Sequence, residues 1–154
     1  MNKYLKLIIC LITPLLIGGV SGALTAQSIP TWYVTLHKPW FNPPNYLFGP
    51  VWTLLYLLMG VSLFMALQSK TNNTRKIVTV FSIQLTLNFF WSILFFNFHA
   101  IGSAIIEIVL MWLAILWMIV TFYKTNKAAG LLQIPYLLWV SFASLLNAAI
   151  WYLN

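Results

Sequence analysis

The chain has 154 residues, 62% of them hydrophobic and only 6% charged, with a mean hydropathy of +0.90. A soluble domain carries roughly 25% charged residues, so water is excluded as the solvent for most of this surface and a lipid bilayer is expected. Eight Lys and Arg stand against one acid, Glu107; they flank apolar runs, which points to membrane topology and not to a nucleic-acid surface.

Five apolar stretches follow one another, at residues 4–26, 46–68, 77–96, 102–123 and 131–152. Each has the ~20 residues that a helix needs to cross a hydrocarbon core. They are continuously apolar and not alternating, and each is about twice the length of a barrel strand, which favours helices. They nearly exhaust the sequence. The expected fold is therefore an all-α integral membrane protein, a bundle of five transmembrane helices forming one domain over residues 1–154. Internal repeats of the kind that build inverted transporters are not evident.

The first stretch, with Lys3 and Lys6 before it and Ser21-Gly22-Ala23 near its end, has the outline of a secretory signal peptide. Its length favours a retained span, and Pro14 with Gly18, Gly19 and Gly22 predicts close helix packing. Cys10 lies alone within this run, so an internal disulfide is excluded and a chemical role is not expected.

Orientation follows from the bases on short connections. Lys3, Lys6, Lys70, Arg75, Lys76, Lys124 and Lys127 fall on one side, and Lys38 alone on the other. Seven against one places the N-terminus in the cytoplasm and the C-terminus outside, in a bacterial inner membrane. Tyr4 and Tyr123 then mark the inner boundary, and Trp151 and Tyr152 the outer one, as an aromatic belt.

The connections at 69–76 and 124–130 read as plain polar turns. Residues 27–45 differ, for they hold Trp32, Tyr33, His37, Lys38, Pro39, Trp40, Phe41, Pro43 and Pro44. Exposing large apolar side chains costs ~1.5–3 kcal/mol each, and prolines restrict the unfolded backbone. A structured aromatic, proline-rich loop between the first and second helices is predicted, packed as a lid over the external end. The competing reading is a loop resting in the lipid headgroups.

Helical spacing groups polar and aromatic residues on three faces. The second helix offers Trp52, Tyr56 and Met59; the third Gln84, Asn88 and Trp91; the fifth Trp139, Ala143, Leu146 and Asn147. Buried amides need partners in hydrocarbon, so Gln84, Asn88 and Asn147 are expected to face inward. At ~1.5 Å per residue, Trp52 lies about 9 Å below the external edge, Asn88 about 12 Å and Asn147 about 9 Å, with Trp139 at about 20 Å as a floor. Flat aromatic walls with few hydrogen-bonding groups suit a large, planar, mostly apolar ligand. Interhelical glue competes with ligand contact for Gln84 and Asn147, whereas Asn88 beside Trp91 favours ligand contact.

Other groups are expected to be structural. Trp112 and Trp117 read as lipid-facing or as a subunit contact. His37 and His99 fall on external connections as solvated or hydrogen-bonded side chains, although haem ligation is a conceivable role. Glu107 is expected to be shallow enough to hydrate or pair with a helix end, and a lone intramembrane acid is a functional candidate. No paired carboxylates, Ser–His–Asp set, metal-spaced cluster or glycine-rich phosphate loop occurs, so neither a metal nor another cofactor is expected.

The run Lys38-Pro39-Trp40-Phe41-Asn42-Pro43-Pro44, followed by Phe48-Gly49-Pro50-Val51-Trp52-Thr53-Leu54-Leu55-Tyr56 and Met59-Gly60, resembles the tryptophan-rich sensory protein (translocator protein) family. Gln84-Leu85-Thr86-Leu87-Asn88-Phe89-Phe90-Trp91 resembles its third helix. Pro135-Tyr136-Leu137-Leu138-Trp139, with Phe142-Ala143 and Leu146-Asn147, resembles its fifth. The resemblance implies a five-helix bundle, commonly a homodimer, that binds protoporphyrin IX-type tetrapyrroles and synthetic isoquinoline or benzodiazepine ligands. It implies pocket positions at Trp52, Asn88, Trp91, Trp139, Ala143 and Leu146, with Tyr33 and Pro44 in the covering loop. Light- and oxygen-dependent porphyrin degradation, credited to some members, would make Trp52 and Trp139 electron donors; tetrapyrrole transport and non-catalytic sensing through a partner protein are the alternatives. Sterol binding is not expected, because Tyr152 is followed only by Leu153 and Asn154, with no basic residue to complete a motif that is weak even when intact. The loop tryptophan is displaced relative to the family pattern, with Trp40-Phe41-Asn42 in its place.

Overall fold

The computed structural model describes residues 2–69 and 73–154. The expected all-α fold is found, and among the described residues five helical segments have the length and composition to cross a membrane. In chain order, α1 is Lys3–Thr25 and α2 a single turn at Ser28–Thr31, followed by a 3-10 turn at Tyr33–Thr35. The second span is α3, Asn45–Gln68; the third is α4, Thr74–Ser92, continued by a π-helical turn, Ile93–Asn97. The fourth is α5, Ile101–Thr125, and the fifth joins α6, Lys127–Leu131, to α7, Ile134–Leu153.

Local chemistry explains where these elements begin and end. Asn2 caps α1, its Oδ1 accepting from the Tyr4 amide at 3.1 Å. The connection expected to be a plain turn after α5 is helical instead. Asn126 caps α6 by accepting from the Ala129 amide at 3.2 Å, and Gly130 lies where a Cβ would come within 2.7 Å of Tyr123 Cα. Only a glycine lets α6 fold back this closely on α5. Pro135, without an amide hydrogen, sits in the first turn of α7 and separates it from α6.

The spans close a ring in the order first, second, fifth, fourth, third. At the end bearing the N-terminus the ring is tight. Ser62 donates to the Ala129 carbonyl at 2.6 Å, Gln133 Nε2 to the Leu58 carbonyl at 3.2 Å, and Lys6 Nζ to the Leu67 carbonyl at 2.8 Å. Met59, Ile108, Met111, Ile115, Met118 and Phe122 fill the core between them. This end carries the bases of the first, third, fourth and fifth spans; Lys70, counted with them, lies outside the described residues. The opposite end, with Lys38 and the long loop, is here the loop end.

The first and second spans diverge towards the loop end. At Gly60 they meet backbone to backbone, a Cβ there lying 2.7 Å from the Cys10 carbonyl and 2.8 Å from Leu11 Cα. At Gly19, Gly22 and Gly49 a Cβ would meet nothing within 4 Å. The close packing expected at Gly18, Gly19 and Gly22 is found at Gly18 and corrected at the other two. Gly18 makes room for the Tyr56 ring, while Gly19 and Gly22 front open space.

Candidate functional site

The space between the diverging helices is a cavity of about 340 Å³. One wall is aromatic, made by Phe48, Trp52 and Tyr56 of α3 with Trp91 and Phe96 of the third span. The facing wall is α1, whose Gly18, Gly19 and Gly22 contribute little beyond backbone. Trp52 and Tyr56 are stacked at 5.7 Å with 28° between their planes. The result is a slot with flat rings on one side and a shallow glycine surface on the other.

A second, narrow cleft of about 30 Å³ lies behind the aromatic wall. Tyr33, Phe48, Trp52, Trp91 and Phe96 line both spaces, and Trp139, Ala143, Leu146 and Asn147 line only the narrow one. Trp139 is not the floor that its depth implies; it flanks the wall edge-on to Phe48 at 6.2 Å and beside Phe142 at 5.6 Å. The large cavity ends instead at Leu15, Gly18 and Tyr56. The reason is that the long loop descends along α7, bringing Phe41 against Phe142 at 6.3 Å and starting α3 deep beside Trp139.

Two of the three inward amides, Asn88 and Asn147, tie spans together. Asn88, 2% exposed, accepts from the Tyr56 hydroxyl at 2.7 Å and donates to the Tyr136 hydroxyl at 3.1 Å. It lines neither space, although ligand contact was expected of it, and it links three spans. Asn147 accepts from Trp91 Nε1 at 3.1 Å and donates to the Ile101 carbonyl at 3.0 Å, which orients the Trp91 indole. Gln84 is fully buried, and neither amide atom has a hydrogen-bond partner among the described residues. Glu107 is likewise buried, 8% exposed, and both its oxygens are without a partner among the described residues. The hydrated or helix-paired position expected for Glu107 is thus corrected: it points into the bundle, near Tyr136 and Met111. Trp112 is half-buried and lines neither space, its Nε1 donating to Ser141 Oγ at 2.8 Å and tying α5 to α7; Trp117 faces outward.

The loop forms a roof. Tyr33 is buried, donates to Asn42 Oδ1 at 2.7 Å, and packs on Phe95 and Phe96 at 6.2 and 5.7 Å. Lys38 Nζ lies 4.7 Å from its ring centroid. Burial pushes the Tyr33 phenol up to about 12, with the Asn42 bond acting in the opposite direction. Trp32 stacks on His99 at 4.1 Å and meets Phe95 edge-on at 5.6 Å. His99 adopts φ 53°, a left-handed conformation rare outside glycine, as the chain leaves the π-helical turn. Asn154 clasps His37, accepting from its amide and donating to its carbonyl, both at 2.9 Å. Pro44 precedes α3 as its N-cap residue and lines neither space, and Trp40 is 95% exposed.

Residues 18, 19 and 22 and Phe48, Phe95 and Phe96 were not selected as site residues from the sequence. The repeated small side chains on one face of α1 were the available signal, though such a face equally fits helix contact. The π-helical turn, closed by the Phe98 amide on the Ile93 carbonyl at 3.0 Å, had no signal, yet it brings Phe95 and Phe96 together beneath Tyr33.

A family profile described as TspO/MBR family matches residues 10–153. The chain is 45% identical to "Tryptophan-rich protein TspO" of Archaeoglobus fulgidus, over 97% of each chain. It is 41% identical to the protein of the same name from Chlorobaculum tepidum, over 100% of this chain and 99% of that one. With "Translocator protein" of Homo sapiens it shares 33% identity over 78% of this chain and 73% of the human one. A bundle of five membrane-crossing helices and a profile match along nearly its whole length lead to one conclusion: this integral, multi-pass membrane protein belongs to the TspO/MBR family.

Proposed function

We propose that the protein is a membrane receptor for protoporphyrin IX-type tetrapyrroles, held in the slot between α1 and the aromatic wall. Membership of the TspO/MBR family supports a receptor or sensor role in the bilayer. The observation that carries the finer reading is the shape of the cavity. Indoles Trp52 and Trp91 and the Tyr56 ring face a glycine surface across about 340 Å³, a space within the ~300–1,000 Å³ range of small-molecule sites. A planar macrocycle can lie against backbone on one side and stack on rings on the other. Smaller planar isoquinoline and benzodiazepine ligands suit the same slot.

Light- and oxygen-dependent breakdown of the bound tetrapyrrole is part of this proposal. Trp52 would face the macrocycle and donate an electron to its photoexcited state. Trp139, edge-on behind Phe48, would act one ring further away. The asymmetry of the bases supports a cytoplasmic N-terminus in a bacterial inner membrane, with the lid outside; a homodimer of single-domain chains is the assembly we propose.

The test is spectral titration of the purified protein with protoporphyrin IX, followed by illumination in air. Saturable binding, weakened in Trp52→Phe, is expected, with slower bleaching in that variant. If Trp52→Phe binds and bleaches like wild type, the slot is not the site.

A further inference from the structure

We infer that the ligand enters the slot sideways from the bilayer, through a portal between α1 and α3, and not from the aqueous side through the loop. This rests on the receptor reading above. On one side the rim is Gly19 and Gly22 of α1 with Ala26 just past its end; on α3 it is Asn45, Gly49 and Thr53. All six line the cavity and all six are exposed. They recur at helical spacing on the two facing helices, so the gap runs along the helix axes and is not a single hole.

Three independent observations converge on this route. First, the portal is open, because a Cβ added at Gly19, Gly22 or Gly49 would meet nothing within 4 Å, although the same two helices touch at Gly60. Second, most of the rim lies within the membrane-crossing segments Lys3–Thr25 and Asn45–Gln68 and is flanked by exposed Leu16, Val20 and Leu54. Hydrocarbon, not water, is the medium against such a face. Third, the loop end is shut. Tyr33 is bonded to Asn42 and packed on Phe95 and Phe96, Trp32 is stacked on His99, and the loop is clasped by Asn154 at His37.

The route selects a ligand class. A molecule must first dissolve in the bilayer, and it must be thin enough to pass edge-on between two helices. A flat, apolar macrocycle with polar groups on one edge meets both demands, and that edge would follow Asn45 and Ser92, two of the polar groups that line the cavity. A macrocycle larger than the enclosed space would also rest with one side in the portal.

The experiment follows association and dissociation of protoporphyrin IX by stopped-flow fluorescence, with the full chain in lipid nanodiscs. Val20→Trp and Leu54→Trp, one from each side of the portal, change exposed residues that flank the gap without lining the cavity, and so leave the helix contacts and the slot intact. Both rate constants are expected to fall together, several-fold, with the equilibrium constant nearly unchanged, the signature of a narrowed passage. In His37→Cys/Asn154→Cys, oxidised to fasten the loop to α7, the rates are expected to stay at the wild-type value. The inference is overturned if the tryptophan variants leave association unchanged, or if fastening the loop abolishes association. A flat titration of the wild type would instead sink the receptor reading itself, and equilibrium binding measured alongside separates the two failures.

Discussion

The Tyr56 hydroxyl donates to Asn88 Oδ1 at 2.7 Å, and through Asn88 Nδ2 it is joined to the Tyr136 hydroxyl 3.1 Å further on. One carboxamide thus holds the second, third and fifth spans together directly behind the slot. It also fixes the phenol that fills the space above Gly18. The cavity is kept open by a polar contact that its ligand need not touch.

Asn88→Ala should therefore act on stability more than on recognition. Loss of the link is expected to cost ~0.6–2 kcal/mol, the range for interhelical hydrogen bonds in membranes. Unfolding of the detergent-solubilised variant should show it. Protoporphyrin affinity of the protein that remains folded should change little; a loss of affinity without a loss of stability would place Asn88 in ligand contact after all.

Gly18 and Gly19 are adjacent but should respond oppositely. A Cβ at Gly18 would collide with the Tyr56 ring, whereas at Gly19 it would meet open space. Overpacking costs ~1–3 kcal/mol, so Gly18→Ala should destabilise the bundle and weaken binding by displacing Tyr56. Gly19→Ala should leave the melting temperature near that of wild type. Paired thermal melts and titrations check both.

Trp52 and Trp139 should also separate. Trp52 lines the large cavity, and Trp139 only the narrow cleft. An aromatic stacking contact is worth ~0.5–1.5 kcal/mol beyond burial, so Trp52→Phe should weaken protoporphyrin binding several-fold and Trp139→Phe much less. Equal losses in equilibrium titrations would move the ligand towards α7.

Asn154→Ala removes both clasp bonds to His37. Each exposed hydrogen bond contributes about 0.5–1.5 kcal/mol. Amide hydrogen exchange at His37 and its neighbours should therefore speed up, while exchange in the spans stays as in wild type.

The roof should resist mild alkali and fail in strong alkali. Tyr33 titrates at about 12 in the folded chain because it is buried, against about 10 when unfolded. Between these values the unfolded state has released a proton that the folded state keeps, so stability falls as pH rises through that window. Below pH ~10 the phenol is neutral in both states and the contribution is complete. Loop proteolysis should be flat up to that point and then climb in wild type, and the climb should be absent in Tyr33→Phe.

Hydropathy and charge placement, read along the chain, were enough to establish five spans and an aromatic loop, because each depends on residues adjacent in sequence. The motifs around Trp52, Asn88 and Trp139 likewise identified the family. The inward direction of Gln84, Asn88 and Asn147 was legible too, since an amide in hydrocarbon has nowhere else to go. Tertiary structure alone decided that Asn88 bonds to Tyr56 and Tyr136 and lines neither space, and that Gly19 and Gly22 front a space while Gly60 makes a contact. It also decided that Trp139 is a flank and not a floor. A glycine permits either approach or separation, and an amide accepts any partner within reach. Which outcome prevails depends on where neighbouring helices cross, and that angle is set by packing across the whole bundle, not by any one segment.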